Sequence, residues 1–236
     1  MMTTINRMPK YIIILSMLYL TAFIFPVMLA YRMVSFGSFL LPGGTLFFPA
    51  SYLIGDMIAE VYGYQIARQL VWSAIFCQLF VSCLIIAVLH LPFPANWHYE
   101  QDFNIVLGHS LRYALASTIG NFLGEFINIY IITKFKVLLK GKHFWIRSLG
   151  ASCIGEAVLT STVFFITFSG ITSFHDILKL TLSGYLFKIF FSIIAILPVT
   201  FLVAFLKRNE GIDAYNYALD FNPFKFSIDE NKILPK

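Results

Sequence analysis

Charge is scarce in this chain. Only 12% of its 236 residues are Asp, Glu, Lys or Arg, against 58% hydrophobic residues and a mean hydropathy of +0.78. That mixture excludes an ordinary soluble domain. There is no glycine-rich nucleotide-binding loop, so the chain has no ATP motor of its own. There is no paired-histidine zinc helix and no Ser/His arrangement on facing spans, which argues against an intramembrane enzyme. An aromatic-basic platform is also missing, so the net charge of +5 does not point to nucleic acid. The three cysteines, Cys77, Cys83 and Cys153, lack metal-ligand spacing and read as packing residues. His90, His98 and His109 gather around one loop without an accompanying carboxylate pattern, so they read as interfacial histidines rather than a zinc site. No catalytic residue, metal or cofactor is expected.

Long apolar runs take up the rest. They fall near residues 11–31, 39–60, 67–90, 109–133, 147–169 and 176–206. The expectation is an all-α integral membrane protein, with six transmembrane helices in one bundle and residues 1–236 forming a single transmembrane domain. The second run carries Pro42-Gly43-Gly44 and Pro49, so its outer part is expected to be broken or re-entrant, a backbone tolerated only beside protein or a cavity. The first run, preceded by Arg7 and Lys10, is longer than a signal-peptide core and lacks a small-residue cleavage pattern, so it should stay attached. Trp72, Trp97 and Trp145 fall near span ends, as interface aromatics do.

Basic residues set the orientation. With the N-terminus inside, thirteen of the seventeen Lys and Arg are cytoplasmic: Arg7, Lys10, Arg68, the residues of the 134–147 loop, Lys207, Arg208, and Lys225, Lys232 and Lys236 in a 207–236 cytoplasmic tail. Both termini are therefore expected in the cytoplasm. The dense 134–147 loop would also favour anionic lipid headgroups.

Against this background the acids stand out. Gly55-Asp56, Gly124-Glu125 and Gly155-Glu156 each place a carboxylate inside a run apolar enough to cross a bilayer. An acid at a helix centre costs roughly 2.5–3.5 kcal/mol on insertion scales, so these side chains should face a protein-lined or watery cavity and handle a polar solute. Asp56 and Glu60 share a helix face with Ser51 and Tyr52 about one turn above, and two acids on one stripe call for a nearby cation, a proton or a solute donor. Glu60 also reads as a helix end at the interface. Thr118, Asn121, Glu125 and Asn128 form a polar stripe at helical spacing, and Ser152, Glu156 and Thr160 repeat it on the next span; interhelical hydrogen bonding is the structural alternative. Gly124 and Gly155 would let the two helices approach closely. Lys188 either snorkels outward or pairs with a buried acid. Pro198 should kink the last helix and free the carbonyl of Ile194 toward the cavity.

These landmarks, taken together, resemble the VUT family of queuosine-precursor transporters, six-helix bacterial inner-membrane proteins. The likeness runs through Phe48-Pro49-Ala50-Ser51-Tyr52, then Gly55-Asp56 to Glu60-Val61-Tyr62-Gly63-Tyr64 and Arg68. It continues at Gly124-Glu125-Phe126-Ile127-Asn128 with Tyr130, Lys134 and Lys136, at Trp145 to Arg147, and at Gly155-Glu156. Lys188, Pro198, Lys207, Glu210, Asp213, Tyr215 and Phe221-Asn222-Pro223-Phe224 close it. Roughly residues 45–224 are covered. Two departures matter: Leu159-Thr160 stands where the family usually has an acid-hydroxyl pair, and Ala59 where it often has threonine.

The resemblance implies uptake of a 7-deazaguanine small molecule, preQ0, preQ1 or queuine, across the inner membrane of a bacterium. It implies Glu125 and Glu156 as readers of the base, Asp56, Asn121 and Asn128 around them, and Tyr52 and Tyr130 as aromatic faces. Glu60 and Lys188 are left for gating or charge pairing. Partners are then the substrate and the lipid bilayer. Energy would come from an ion gradient, from trapping inside the cell, or from an unseen energising partner, with a homo-oligomer left open. The alternative is a substrate-capture subunit of an energy-coupling-factor transporter for another heterocycle or vitamin. Ala22 and Ala30, eight residues apart, lack the four-residue spacing of small residues such a docking helix uses.

Overall fold

The computed structural model describes residues 9–36, 39–94, 96–215 and 222–224. Arg7, Phe221, Lys225, Lys232, Lys236 and the rest of the tail beyond 224 lie outside them. Helix α1 (Ile12–Leu29) is followed by an antiparallel hairpin of β1 (Met33–Phe36) and β2 (Phe39–Pro42), paired from Met33↔Pro42 to Phe36↔Phe39. A 3-10 turn, Gly43–Leu46, leads into α2 (Pro49–Tyr62), then α3 (Tyr64–Leu89), α4 (Glu100–Leu107), α5 (Ser110–Leu138), α6 (Phe144–Phe168) and α7 (Phe174–Glu210). Among the described residues, five stretches are long and apolar enough to cross a membrane: α1, α3, the 100–138 run through α4 and α5, α6 and α7. The protein is an all-α membrane bundle, multi-pass in the bilayer.

The surface and interior are arranged as lipid demands. Phe76, Phe80, Phe190, Leu197 and Phe201 are more than half exposed, whereas Asp56, Glu60, Glu125 and Glu156 are at most 1% exposed. Apolar side chains outside and carboxylates inside is the distribution of a bilayer protein, not of one folded in water.

The second apolar run does not form one long helix. Its first part is β2 and the 3-10 turn, and α2 has 14 residues, roughly 21 Å at 1.5 Å per residue, short of a hydrocarbon core of about 30 Å. Pro42 ends β2 and Pro49 opens α2 at its first turn, where the missing N–H is no loss. The two-stranded hairpin has no signature that the sequence pattern revealed. At the other end of α2, Gly63 at φ +92° breaks the chain sharply before α3, a conformation costly for any residue with a Cβ.

Helices α5 and α6 form the tightest seam. A Cβ added at Gly124 would lie 2.6 Å from the Gly155 carbonyl oxygen and 2.7 Å from Leu159 Cβ, and one at Gly155 would lie 2.7 Å from the Gly124 carbonyl oxygen. The two glycines therefore face each other with backbones in contact, and the acids that follow them are carried into the bundle on adjacent helices. Helix α7 runs unbroken through Pro198, and both Pro198 and Ile194 lie on its exposed side. This places the region expected to open toward the cavity on the lipid-facing surface instead.

Candidate functional site

Four helices bring the buried polar groups together. On α2, Tyr52, Asp56 and Glu60 recur every four residues and so share one face; all three are at most 1% exposed. Asn121, Glu125 and Asn128 of α5, and Ser148, Ser152, Glu156 and Thr160 of α6, are buried too. Among the described residues, Lys188 of α7 is the cation that bonds one of the central acids, Glu156.

Each acid has its own partners. Asp56 accepts from Asn128 Nδ2 at 2.6 Å and from the Ser148 hydroxyl. Glu156 Oε2 accepts from Lys188 Nζ at 2.7 Å, and that ammonium also lies 4.7 Å from the centre of the Phe48 ring. The pairing decides between the two readings of Lys188: it is an internal counter-ion. Glu125 Oε1 accepts a longer bond, 3.3 Å, from the hydroxyl of Tyr19 on α1. A Cβ at Gly55 would lie 3.3 Å from the Tyr19 ring and 4.0 Å from Glu125 Oε2, while Tyr52 leans on both seam glycines, so these groups crowd one region.

Several buried oxygens have no hydrogen-bond partner among the described residues: Glu125 Oε2, Glu156 Oε1, Asn121 Oδ1, Asn128 Oδ1 and the hydroxyls of Tyr52, Ser152 and Thr160. Native interiors rarely leave such atoms unpaired, so a concentration of them marks a place where something polar is received. The first four are acceptors only. The adjoining crevice, lined by Thr45, Phe48, Tyr113, Ser117, Phe164 and Lys188 among others, holds about 10 Å³, room for about one water. The site is closed in this state.

Glu60 belongs to a separate cluster at the far end of α2. Arg147 donates to it twice, at 2.8 and 3.1 Å, and Lys207 once at 2.6 Å, while Lys136 stands 3.8 Å away. Lys136 also reaches Asp213 at 2.6 Å and the Ala214 carbonyl at 2.7 Å, and Lys207 reaches Asp213 at 2.9 Å. The Ala214 N–H in turn bonds the Val61 carbonyl at 3.1 Å. This network ties α2, α5, α6, α7 and the 211–215 segment together. Partial burial alone would raise the Asp213 carboxyl, but hydrogen bonds from Lys136 and Lys207 and the charges of both outweigh it and hold it below the usual carboxylate range.

One expected site residue, Tyr130, and one member of the expected polar stripe, Thr118, stand apart. Tyr130 is 42% exposed and lines an outer groove with Phe122, Phe126 and Pro223, whereas the acids are buried. Thr118 is half-buried with its hydroxyl on the Ala114 carbonyl of its own helix, and Ser117 takes the inward position, accepting from Asn121 Nδ2 at 2.8 Å. Sequence reasoning missed Tyr19, whose apolar run offers no signal beyond the tyrosine itself. It counted Lys136, Arg147 and Lys207 as cytoplasmic charge; the hint was that all three recur among the landmarks of the family resemblance. Leu159, where the resemblance leads one to expect an acid, packs into the glycine seam and lines the crevice.

Comparison with known proteins adds the following. A family profile described as "Putative vitamin uptake transporter" matches residues 42–203. The chain is 24% identical over 160 residues to the "Queuosine precursor transporter" of Escherichia coli K12, covering 66% of this chain and 69% of that protein. It is 25% identical to the "Probable queuosine precursor transporter" of Haemophilus influenzae over 158 residues and to that of Bacillus subtilis 168 over 155, covering 66% and 65% of this chain and 65% of each relative, a little under two thirds. None of the three is named as a subunit of an energy-coupling-factor assembly. No solved structure matches significantly.

Proposed function

The chain belongs to the vitamin uptake transporter family, and from that premise we propose that it imports queuosine precursors across a bacterial cytoplasmic membrane, working by transport rather than catalysis. The observation that carries this reading is the surplus of unpaired acceptors beside the three buried acids. A 7-deazaguanine base presents adjacent donors, the ring N1–H and the exocyclic amine, and a carboxylate accepts both side by side as it does from guanidinium. Within a dry site that pairing is stronger than in water. Glu125 and Glu156 are the readers in this account.

Asn121 and Asn128 spend their amide nitrogens on Ser117 and Asp56, so the six-keto edge falls to the hydroxyls of Tyr52, Ser152 and Thr160. Tyr52 and the Phe48 ring offer flat faces; stacking contributes about 1–3 kcal/mol per base in other proteins. Thr45, Tyr113 and Phe164 line the closed crevice, and the Glu60 network lies toward the other end of α2. With both termini in the cytoplasm, as the distribution of Lys and Arg supports, the crevice faces outside and the network is the inner gate. In the same account the hairpin and α2 together make the sixth, re-entrant span of one transmembrane domain.

The test is growth of a bacterial strain that cannot make queuosine, expressing this protein and fed preQ0, preQ1 or queuine in turn, with queuosine in transfer RNA as the readout. At least one precursor is expected to restore it, and Glu125→Gln or Glu156→Gln, which puts a donor against the base's donors, to lower uptake sharply at normal expression. Failure of every precursor, or full uptake in both variants, refutes the assignment.

A further inference from the structure

Lys188 occupies an unusual seat. Its side chain is 3% exposed, its ammonium bonds Glu156 Oε2 at 2.7 Å, and the same ammonium lies 4.7 Å from the centre of the Phe48 ring. An acid on one side and an aromatic face on the other is the environment that selects an organic cation. Lys188 and Phe48 both line the closed crevice, so this seat borders the space beside the acids. Glu156 Oε1 remains unpaired next to it. A buried carboxylate without a cation is costly, and the protein supplies its own.

We infer that the Lys188 ammonium is a tethered stand-in for a cationic group of the substrate: it fills the seat between Glu156 and Phe48 in the empty, closed carrier, and an amine borne by the arriving heterocycle displaces it. The inference rests on the reading above that the chamber takes a 7-deazaguanine; it narrows that class and gives Glu156 to the substrate's amine, leaving Glu125, whose Oε2 is unpaired, to read the base's own donors. The site is built for a base carrying a protonated aminomethyl group, as in preQ1 or queuine, over the neutral nitrile of preQ0. It also gives the empty carrier a closed state of its own, because Glu156 is never left bare when the substrate departs.

The experiment compares the affinities of preQ1 and preQ0 by titration calorimetry, using the full chain in lipid nanodiscs. Lys188→Met removes the competitor and leaves Glu156 to be satisfied only by a ligand cation, so the preQ1-to-preQ0 affinity ratio is expected to rise about tenfold or more over wild type. Lys188→Arg keeps a tethered cation and should keep the wild-type ratio. Glu156→Gln removes the acid that both ammoniums share, and the ratio should fall. If Lys188→Met does not elute as folded protein, Lys188→Gln is read in its place with the same expectation. A ratio unchanged by loss of the Lys188 charge overturns the inference while leaving base recognition intact; failure of wild type to bind either base overturns both.

Discussion

Removing the negative charge of Glu60 should cost more than removing the Arg147 cation that bonds it most. The cluster holds two acids, Glu60 and Asp213, and three cations, Arg147, Lys136 and Lys207, and so carries one net positive charge. Glu60→Gln doubles that excess and leaves Arg147 and Lys207 without their shared acceptor, in a region where both residues of the Glu60–Arg147 pair are 1% exposed. Breaking a buried pair in this way costs about 3–5 kcal/mol. Arg147→Met instead brings the cluster to neutrality, and Glu60 keeps Lys207 at 2.6 Å and Lys136 at 3.8 Å. The loss is then confined to hydrogen bonds, including those to the carbonyls of Ile132 and Lys142, and should come to about 1–3 kcal/mol. The double variant returns the charge to its starting value and should be no less stable than Glu60→Gln alone. The assay is unfolding by SDS in dodecylmaltoside micelles, followed by circular dichroism. Equal costs for the two single variants, with a double variant at their sum, would refute the reasoning and show that the cluster does not act as one charged unit.

Asp213 supplies a pH dependence. Its carboxyl titrates below the ordinary value in the folded state, so its contribution is complete above the unfolded value of about 3.9 and is lost as pH falls through the folded one. The thermal stability gap between wild type and Asp213→Asn should thus be full at neutral pH and close in acid, below about pH 4; a gap that widens in acid would reverse the sign. Gly124→Ala and Gly155→Ala each drive a methyl onto the opposing backbone and should cost about 1–3 kcal/mol or more, whereas Gly150→Ala meets nothing within 4 Å and should leave the melting temperature unchanged. Tyr19→Phe withdraws the one hydroxyl bonded to Glu125 and should lower precursor uptake by on the order of tenfold. Tyr130→Ala, on the outer surface, should leave uptake near wild type, and a strong loss there would return Tyr130 to the site.

What could be read from the sequence is what bilayer energetics makes conspicuous. Asp56, Glu125 and Glu156 stood out because an acid in an apolar run is too costly to be accidental, and all three are buried. The broken second run was visible in Pro42-Gly43-Gly44 and Pro49, each of which removes a donor or helical propensity at a known place. The choice of partners was not visible. Lys136 and Arg147 near span ends look the same whether they face lipid headgroups or turn inward onto Glu60, and only the packing of α5 and α6 decides. Tyr19 has the signature of any aromatic in a membrane helix. The polar face of α5 was read one position off at Thr118, since neighbouring residues differ by only about 100° around the axis and both candidates are small hydroxyls.

The Glu210 carboxylate accepts from the backbone N–H of Lys10 at 3.0 Å, from that of Tyr11 at 2.8 Å, and from the Tyr62 hydroxyl at 3.0 Å. Helix α1 has no side-chain cap of its own, so amides at the start of α1 are satisfied by the end of α7. Until Glu210 is in place, water serves those amides. The clasp between α1 and α7 therefore closes late, and a chain cut within α7 before Glu210 should keep α1 but lose the contact that pins its start.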